Sequence, residues 1–413
     1  MNFIKLENMN SISKNLSGEM LSAINQYKTP LYFYDTDTIR LQIKKFREAF
    51  KTFPLLIHYA MKANSNLQIL KLMLKEGVSL DTVSLPEILT GLKVGFKSKQ
   101  IVFTPNMVDF EEITEAVRFG VFINIENLSN LEKFGKKYGK SVPCCIRLNP
   151  QIISEMEGEK VRSWHEQSKF GISLNNFDRL KSIISKYSLR IEGLHIHSSH
   201  VIMNPEVFEK GVATIFQLAA GFPHLNYIDL GGGLNFPKPG KENILDIGTL
   251  SKGIQPYYND LCRKSGKAIE LWFEPGRFLV AESGILLVQV KVLKSNGEVN
   301  FVGVDSGFNH LIRPMLYQSY HPIINLSNPG GSVKTYNIVG NLCEIDNFAV
   351  KRELNEVREG DFLAILNAGA YGFSMSSRYN SRFRPAEVWL KDHRVECIRK
   401  RETLEDLFRN QVE

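Results

Sequence analysis

The chain of 413 residues is long enough for two or three domains. Apolar residues make up 43% and charged residues 23%, a globular balance that excludes disordered and fibrous proteins. The net charge of +7 is mild for this length and suits an anionic small molecule as well as nucleic acid. We expect the basic run at 399–401 to be solvated surface, and we expect no nucleic-acid partner.

The sequence shows no pattern typical of export or membrane insertion. No apolar run approaches the roughly 20 residues that cross a bilayer, and the first residues lack a charged-then-apolar pattern. The five cysteines are odd in number and have no C-x-x-C spacing, which disfavours a disulfide framework or a zinc site. We therefore expect a cytoplasmic protein with no membrane association and no bound metal.

Short apolar runs alternate with helical patterns through the first two thirds of the chain. Apolar residues at three- and four-residue steps predict helices, for example over 66–76, 86–94, 110–119 and 205–220. Eight strands alternating with helices are typical of a (β/α)₈ barrel. The predicted strands are 55–62, 78–84, 101–105, 121–126, 144–149, 191–197, 227–232 and 269–275.

Polar residues and glycines cluster where these predicted strands end. In a (β/α)₈ barrel the carboxyl ends of the strands form the mouth of the active site. A single polar residue at a strand end is often only part of a turn, but six of eight ends carry groups capable of chemistry. These are Lys62, Ser84, Arg147, His197, the run Gly231–Gly233 and Glu274.

The pattern changes after residue 277, where β-like segments follow one another with little helix. These segments predict an all-β domain, a sandwich or a small barrel, which an earlier strand at 30–35 is expected to join. The predicted organisation is an N-terminal segment (1–40), an α/β barrel (41–277) and a C-terminal β domain (278–413). The β-like segments are 284–293, 300–305, 334–339, 362–366, 385–391 and 394–399.

Lys62 has two interpretations. It stands at the end of the predicted strand 55–62, where burying a free ammonium would be costly, and a Schiff base to an aldehyde cofactor would resolve this. A lysine whose ammonium reaches solvent is the commoner explanation from this residue alone.

The other barrel candidates also leave alternatives open. Gly231–Gly233 could approach a phosphate or could form only a turn, and Glu274 could pair with a pyridine nitrogen or with Arg277. His195, His197 and His200 could bind metal, but stacking on a planar ring or packing in the barrel wall is at least as plausible.

Eight motifs in a fixed order carry a resemblance from about Thr29 to Phe408. The chain resembles the barrel-type pyridoxal-phosphate decarboxylases, and among them the diaminopimelate decarboxylases. The motifs are YAMKAN (59–64), KFGIS (169–173), LHIH (194–197), DLGGGL (229–234), EPGR (274–277), DSGFNHLIRPMLY (305–317), GNLCE (340–344) and AGAYGFSMSSRYNSRFRPAEV (368–388).

The resemblance implies a set of residues that bind pyridoxal 5'-phosphate. Lys62 would bind the aldehyde covalently, His197 would stack on the ring, and Glu274 would keep the pyridine nitrogen protonated. The remaining cofactor-binding residues, mostly around the phosphate, would be Gly231, Gly232, Gly233, Pro275, Gly276, Arg277 and Tyr371, with His200 in place of a small hydroxyl donor.

The resemblance also implies the substrate and the assembly. Arg277, Arg313 and Tyr317, with Tyr371, would bind the distal carboxylate of an amino-acid substrate, and Glu344 would bind its distal ammonium. Cys343 would act from the partner subunit of a homodimer with shared active sites and return a proton to carbon. The implied reaction converts meso-2,6-diaminopimelate to L-lysine and carbon dioxide. The alternatives are another diamino or carrier-bound amino acid, and a regulatory homologue without catalysis.

The chain departs from the family pattern at three places. Ser199-His200 stands where the family usually has Gly-Ser, and Cys343-Glu344-Ile345-Asp346 is shorter than the usual Cys-Glu-Ser-x-Asp. The stretch 153–166 also differs from the usual loop. These changes concern cofactor affinity and fine specificity rather than the fold.

Overall fold

The computed structural model describes residues 4–150, 168–197, 205–234 and 246–412. The chain divides into two compact units, one formed by Gln42–Phe278 and the other by Met1–Leu41 together with Leu279–Glu413. Across these described residues, no helix combines the length and the apolar character needed to span a membrane.

The unit Gln42–Phe278 is built on a closed parallel barrel. Strand β1 (Leu31–Asp35) precedes it and belongs to the other unit. Within the described residues, eight strands pair in the order β2-β3-β4-β5-β6-β8-β9-β10, and the β2–β10 pairing closes the ring. The short β7 pairs only with β6. The strands are β2 (Leu55–Ala60), β3 (Ser79–Thr82), β4 (Ile101–Phe103), β5 (Phe122–Ile125), β6 (Cys144–Asn149), β7 (Ile172–Ser173), β8 (Ile191–His195), β9 (Tyr227–Asp229) and β10 (Glu270–Phe273).

Side-chain caps start many of the helices that follow the barrel strands. Each cap residue accepts a hydrogen bond from a backbone N–H of the first helical turn, which has no partner inside the helix. Ser84, which we grouped with the candidate residues of the mouth, has this structural role and accepts from the Glu87 N–H. The caps are Asn66, Ser84, Asp109, Asn127 and Asp246.

The helices are numbered here in chain order, and the longer ones lie before residue 266. They are α1 (Ile4–Tyr27), α2 (Thr36–Ala49), α3 (Leu67–Lys75), α4 (Leu85–Val94), α5 (Phe110–Arg118), α6 (Leu128–Tyr138), α7 (Phe177–Tyr187), α8 (Pro205–Ala219), α9 (Ile247–Ser265), α10 (Arg277–Val280), α11 (Arg313–Tyr317) and α12 (Leu404–Phe408). Short 3₁₀ turns lie at Met61–Ala63, Ser98–Gln100, Leu174–Asn176, Phe373–Met375 and Tyr379–Ser381.

The second unit contains a mostly antiparallel sheet. In the part that the structure describes, nine strands join in the order β15-β14-β12-β11-β1-β17-β18, with β16 paired to β11 and β13 paired to β16. β1 lies between β11 and β17, so the beginning and the end of the chain share one sheet. The later strands are β11 (Gly284–Asn296), β12 (Val299–Val304), β13 (Ile323–Asn325), β14 (Val333–Val339), β15 (Asn347–Asn355), β16 (Phe362–Ile365), β17 (Ala386–Lys391) and β18 (Arg394–Arg399).

Apolar burial holds α1 against this sheet. Met20 and Ala23 of α1 are fully buried in one cluster with Leu31 and Phe33 of β1. Burying a side chain of this size is worth about 1.5–3 kcal/mol, so the cluster ties the N-terminal segment to the C-terminal strands.

The predicted fold class is confirmed, and all eight predicted barrel strands are present. β7, β13, β15 and α1 were not predicted. The sequence of β15, NFAVKRELN, shows why, because its exposed charged residues interrupt the apolar pattern that marks a strand. Lys62 lies in the 3₁₀ turn Met61–Ala63 just after β2, rather than in the strand itself.

Candidate active site

Each of the eight barrel strands places a polar side chain in its last residues or just beyond them. All of these side chains except Lys62 are buried, with no more than 6% of the residue exposed. Parallel strands in a barrel end at the same face, so these groups form one cluster at the mouth. They are, in strand order, Lys62, Asp81, Thr104, Asn124, Arg147, His195, Asp229 and Glu274.

Lys62 forms an ion pair with Asp81. Its Nζ lies 2.6 Å from Asp81 Oδ2, and the Asp81 side chain is fully buried while that of Lys62 is 37% exposed. Burial raises the pKa of Asp81 to about 7, the nearby Glu274 adds to this, and Lys62 opposes it. Lys62 is therefore fixed by a partner from the neighbouring strand and does not simply extend to solvent.

The raised pKa of Asp81 predicts a pH dependence of stability. The folded protein holds this proton up to about pH 7, whereas the unfolded chain loses it near its ordinary pKa of 3.8. Stability should therefore fall as pH rises between these values, by at most about 1.4 kcal/mol per pH unit. Asp81→Asn should make this fall smaller, as measured by denaturant unfolding of both proteins across that range. Equal slopes for the two proteins would contradict the assignment.

Glu274, which follows β10, is buried but ionised. Its Oε1 accepts a hydrogen bond from Thr104 at 3.3 Å, and its Oε2 lies 3.4 Å from His195 Nε2. Burial alone would raise the pKa of Glu274, but the His195 Nε2–H that faces the carboxylate and the positive charge of Lys62 outweigh burial and hold the pKa below its ordinary value. The mouth of the barrel thus contains a fixed carboxylate within range of the Lys62 charge.

His195 and His197 present two nearly parallel rings. The ring centroids are 6.4 Å apart with 15° between the planes. Asn124 Nδ2 lies 2.8 Å from His195 Nδ1, an arrangement in which Nε2 carries the proton and faces Glu274. Burial lowers the pKa of both histidines, which favours neutral rings. His195, which is fully buried, packs in the barrel wall.

The glycine run after β9 forms a tight turn with left-handed backbone at Gly231 (φ +67°) and Gly233 (φ +98°). A Cβ at Gly231 would lie 2.6 Å from His197 Nδ1, and one at Gly232 would lie 2.4 Å from the Glu274 carbonyl oxygen. The Gly231 N–H donates to Asp229 Oδ1 at 2.8 Å, and the Gly232 N–H donates to His197 Nδ1 at 2.9 Å. These glycines thus allow close packing of strand ends, and two of their amides already have partners.

Arg147 adds a positive charge to the buried cluster. Its guanidinium lies over the Phe170 ring at 4.9 Å, and burial lowers its pKa while Glu274 and Glu126 oppose the shift. Directly after Glu274, Pro275 and Gly276 are buried and Arg277 begins α10.

In the other unit, Arg313 is held between aromatic rings. It is buried at the start of α11, and its guanidinium carbon lies 5.2 Å from the Tyr317 ring centroid and 5.4 Å from that of Tyr371. Its Nη2 donates to Ser319 Oγ at 3.3 Å. Tyr371 has a left-handed backbone (φ +58°), and Tyr317 is 55% exposed. This set presents one cation and two phenols together.

Cys343 lies in a second cluster of the same unit, with two residues that the sequence analysis did not assign. Asn380 accepts from the Cys343 N–H at 3.0 Å and donates to its Sγ at 3.2 Å. Tyr379 Oη lies 3.6 Å from that sulfur and donates to Glu344 Oε1 at 2.9 Å. The contacts of the sulfur with Tyr379 and with Asn380 lower the pKa of the exposed Cys343 thiol. Cys343 and Glu344 are thus linked through one phenol.

Part of the predicted site lies outside the described residues. This applies to Ser199 and His200 and to the loop 153–166. The shortened segment after Cys343 is described, and there Asp346 Oδ1 accepts from the Phe308 N–H at 2.6 Å. The residues that the sequence analysis missed are Asp81, Thr104, Asn124, Asp229, Tyr379 and Asn380. The one usable signal was an aspartate inside a buried strand, at Asp81 and Asp229, since such a group needs a partner.

The chain is similar to one group of known proteins along most of its length. Residues 36–281 match the family model for the pyridoxal-dependent decarboxylase, pyridoxal binding domain. A diaminopimelate decarboxylase of Methanothermobacter thermautotrophicus is 36% identical over 94% of this chain and 92% of its own length. One of Helicobacter pylori is 36% identical over 94% of this chain and 96% of its own length. The crystal structure of a diaminopimelate decarboxylase from Helicobacter pylori complexed with L-lysine superposes with a TM-score of 0.83 at 34% identity, covering 94% of this chain and 98% of that chain.

The fold and the mouth cluster define a barrel enzyme of the type that uses an aldehyde cofactor. The chain belongs to the pyridoxal-dependent decarboxylase family, within its diaminopimelate decarboxylase group.

Proposed function

We propose that this protein is a pyridoxal-phosphate-dependent decarboxylase that converts meso-2,6-diaminopimelate to L-lysine and carbon dioxide. The observation that carries the proposal is the barrel mouth, where Lys62 is paired with Asp81 and interacts with an ionised, buried Glu274. The relatives named as diaminopimelate decarboxylases, and the relative whose structure contains L-lysine, support this substrate and this product.

The residues of the mouth fit pyridoxal phosphate. An amine suits the aldehyde, a fixed carboxylate suits the pyridine nitrogen, and one buried carboxylate oxygen beside Lys62, Asp81 Oδ1, has no hydrogen-bond donor among the described residues. The cofactor supplies an electron sink for the bond that breaks at the α-carbon.

Each mouth residue then has a defined task. Lys62 would hold the cofactor through its aldehyde, and the Asp81 carboxyl group, whose Oδ2 lies 2.6 Å from Lys62 Nζ, would pair with the amino group of Lys62 whenever that group is free. Glu274 would hold a proton on the pyridine nitrogen, since an ionised carboxylate favours the charged form of its partner. His197 presents a neutral ring for stacking.

Glycine and arginine groups bind the phosphate in this proposal. Because the Gly231 and Gly232 amides have partners within the chain, we assign the phosphate chiefly to Gly233, Gly276 and Arg277, with Tyr371 as a further donor. Gly231 and Gly232 shape the turn.

Arg313, Tyr317 and Glu344 determine the choice of substrate. Arg313, with Arg277 and the two phenols of Tyr317 and Tyr371, binds the distal carboxylate, and Glu344 binds the distal ammonium. A distal amino-acid group carries a carboxylate and an ammonium, so its site needs both a cationic and an anionic side chain. A simple distal amine needs only a carboxylate from the protein.

Cys343 returns a proton to the α-carbon after carbon dioxide leaves, so that diaminopimelate and one proton give lysine and carbon dioxide. We propose that the protein is a homodimer in which the partner's Cys343 and Glu344 serve each barrel. We further propose that it acts in the cytoplasm, where its five free thiols would remain reduced.

A substrate panel tests this function directly. The enzyme loaded with pyridoxal phosphate should release carbon dioxide from meso-diaminopimelate, while lysine, ornithine and arginine should be poor substrates. If the enzyme prefers a substrate without a distal carboxylate, diaminopimelate is not its substrate. If it releases carbon dioxide from none of these amino acids, the protein is better explained as a non-catalytic homologue.

Arg313→Ala should chiefly weaken the use of diaminopimelate. Removing one partner of a desolvated pair between a cation and a carboxylate costs on the order of 2–5 kcal/mol. The ratio of kcat/KM for diaminopimelate to that for lysine should therefore collapse. If kcat/KM falls equally for all substrates, Arg313 has only a structural role.

Arg352 provides a matched control in the same unit. It also lies over an aromatic ring, 4.1 Å from the Tyr320 centroid, and donates to the His321 carbonyl oxygen at 2.7 Å. Arg352→Ala removes a comparable stacked arginine and should leave the substrate ratio unchanged.

A further inference from the structure

Asp229, at the end of β9, is a buried carboxyl group that the proposed chemistry does not use. The residue is 1% exposed. Its Oδ1 accepts from the Gly231 N–H at 2.8 Å, while its Oδ2 is buried with no donor among the described residues. A carboxylate oxygen of Asp229, a carboxylate oxygen of Glu274 and a ring nitrogen of His195 all lie within 4.8 Å of one another.

Two buried carboxylates at this separation repel each other strongly. At neutral pH one of them is therefore ionised and the other keeps its proton. The hydrogen-bond partners decide which one keeps a proton. Glu274 has His195 and Thr104 facing its two oxygens, whereas Asp229 has one amide donor and an empty Oδ2. A negative charge is therefore stabilised better on Glu274 than on Asp229.

We propose that Asp229 is protonated at neutral pH, that its Oδ2–H donates to the Glu274 carboxylate, and that Asp229 is thereby a positioning residue for cofactor binding. One oxygen of Asp229 fixes the glycine turn and the other fixes Glu274. A single side chain thus aligns the groups for the two ends of pyridoxal phosphate, its phosphate and its ring nitrogen. This role rests on the proposed function.

The charges around Asp229 support this protonation. Burial and then Glu274 raise the pKa of Asp229 well above its ordinary value, the Gly231 amide opposes them, and Asp81 on β3 adds to the rise. Arg147 on β6 interacts with both carboxyl groups, more strongly with Glu274 than with Asp229, whereas Lys62 after β2 acts on Glu274, whose Oε2 also lies 3.4 Å from His195 Nε2.

Infrared spectroscopy of the full-length protein, with and without pyridoxal phosphate, tests the proton directly. A protonated carboxyl group has a carbonyl stretch that an ionised one lacks. We expect this band to persist at about pH 8.5, where ordinary carboxyl groups have lost their protons. It should be absent from Asp229→Asn and present in Asp81→Asn, the matched control. A wild-type protein without the band, or a band that persists in Asp229→Asn, overturns the proposal.

Cofactor affinity tests the positioning role. Asparagine keeps an acceptor for Gly231 and a donor for Glu274, so Asp229→Asn should bind pyridoxal phosphate within about threefold of the wild type. Asp229→Ala loses both bonds and should bind about tenfold more weakly or worse. Equal loss in both variants overturns the role. If the alanine variant does not fold, the asparagine affinity and the infrared band still decide.

These outcomes are separate from the outcome for the proposed function. A protein with the expected band and affinities that releases no carbon dioxide from any diamino acid would refute the proposed reaction and leave the Asp229 proton in place. Normal decarboxylation without the band would refute only the inference about Asp229.

Discussion

Lys62→Ala should abolish turnover, with a loss on the order of 10³-fold or more, because no other described lysine is paired with a carboxylate in the barrel mouth. The variant should also lack the visible absorbance that the bound cofactor gives the wild type. The contacts to the phosphate can still retain pyridoxal phosphate in the variant. Borohydride treatment of the wild type should attach the cofactor permanently to the peptide that contains Lys62. Mass spectrometry of a digest locates the label, and a label on any other peptide contradicts the assignment.

Lys71→Ala is the matched control for this experiment. Lys71 is an exposed lysine on α3, close to Lys62 in sequence but outside the mouth cluster. Its replacement should leave turnover and labelling unchanged. A comparable loss in this variant would show that the assay responds to lysine removal in general.

The barrel could be predicted from the sequence because its signals are local. Runs such as 144–149 are mostly apolar over a strand length and are bounded by turns, and cap residues such as Asp109 mark where the helices begin. The strand β15 lacked such a signal. It is recognisable only from its partner β14, because pairing rather than apolar residues defines it.

The candidate site divides in the same way. Lys62 and Glu274 follow apolar strands and stand out as costly to bury without a partner. Asp81 is 19 positions from Lys62, and only the parallel pairing of β2 and β3 brings the two together. Tyr379 and Asn380 reach Cys343 across 36 and 37 positions, through turns that no periodicity predicts.

The glycine run illustrates a different limit. Its composition allowed either amides available to an anion or only a turn, and in the structure the Asp229 carboxyl and the His197 ring accept from two of its amides. A glycine-rich sequence indicates that backbone approaches something closely. It does not indicate whether that neighbour is a ligand or the protein's own strand ends.

Mixing two inactive variants should restore activity if the proposed homodimer shares its active sites. Lys62→Ala damages the barrel unit, and Cys343→Ala damages the other unit, so each should be nearly inactive alone. Random exchange makes half of the dimers hybrids, and a twofold dimer has two equivalent sites. One site of each hybrid carries both defects and the other carries neither. About a quarter of the wild-type activity should therefore return, measured as carbon dioxide release after exchange.

A second mixture makes the result specific to the shared site. Lys62→Ala mixed with Glu274→Ala combines two defects of the same unit, so every site of the hybrid keeps one of them and no activity should return. Exchange is verified with differently tagged chains in both mixtures. If the first mixture stays inactive although exchange occurs, Cys343 acts within its own chain or has no catalytic role. If activity returns in the first mixture and not in the second, one chain must supply Lys62 and its partner must supply Cys343. No arrangement within a single chain produces an intact site from these two variants.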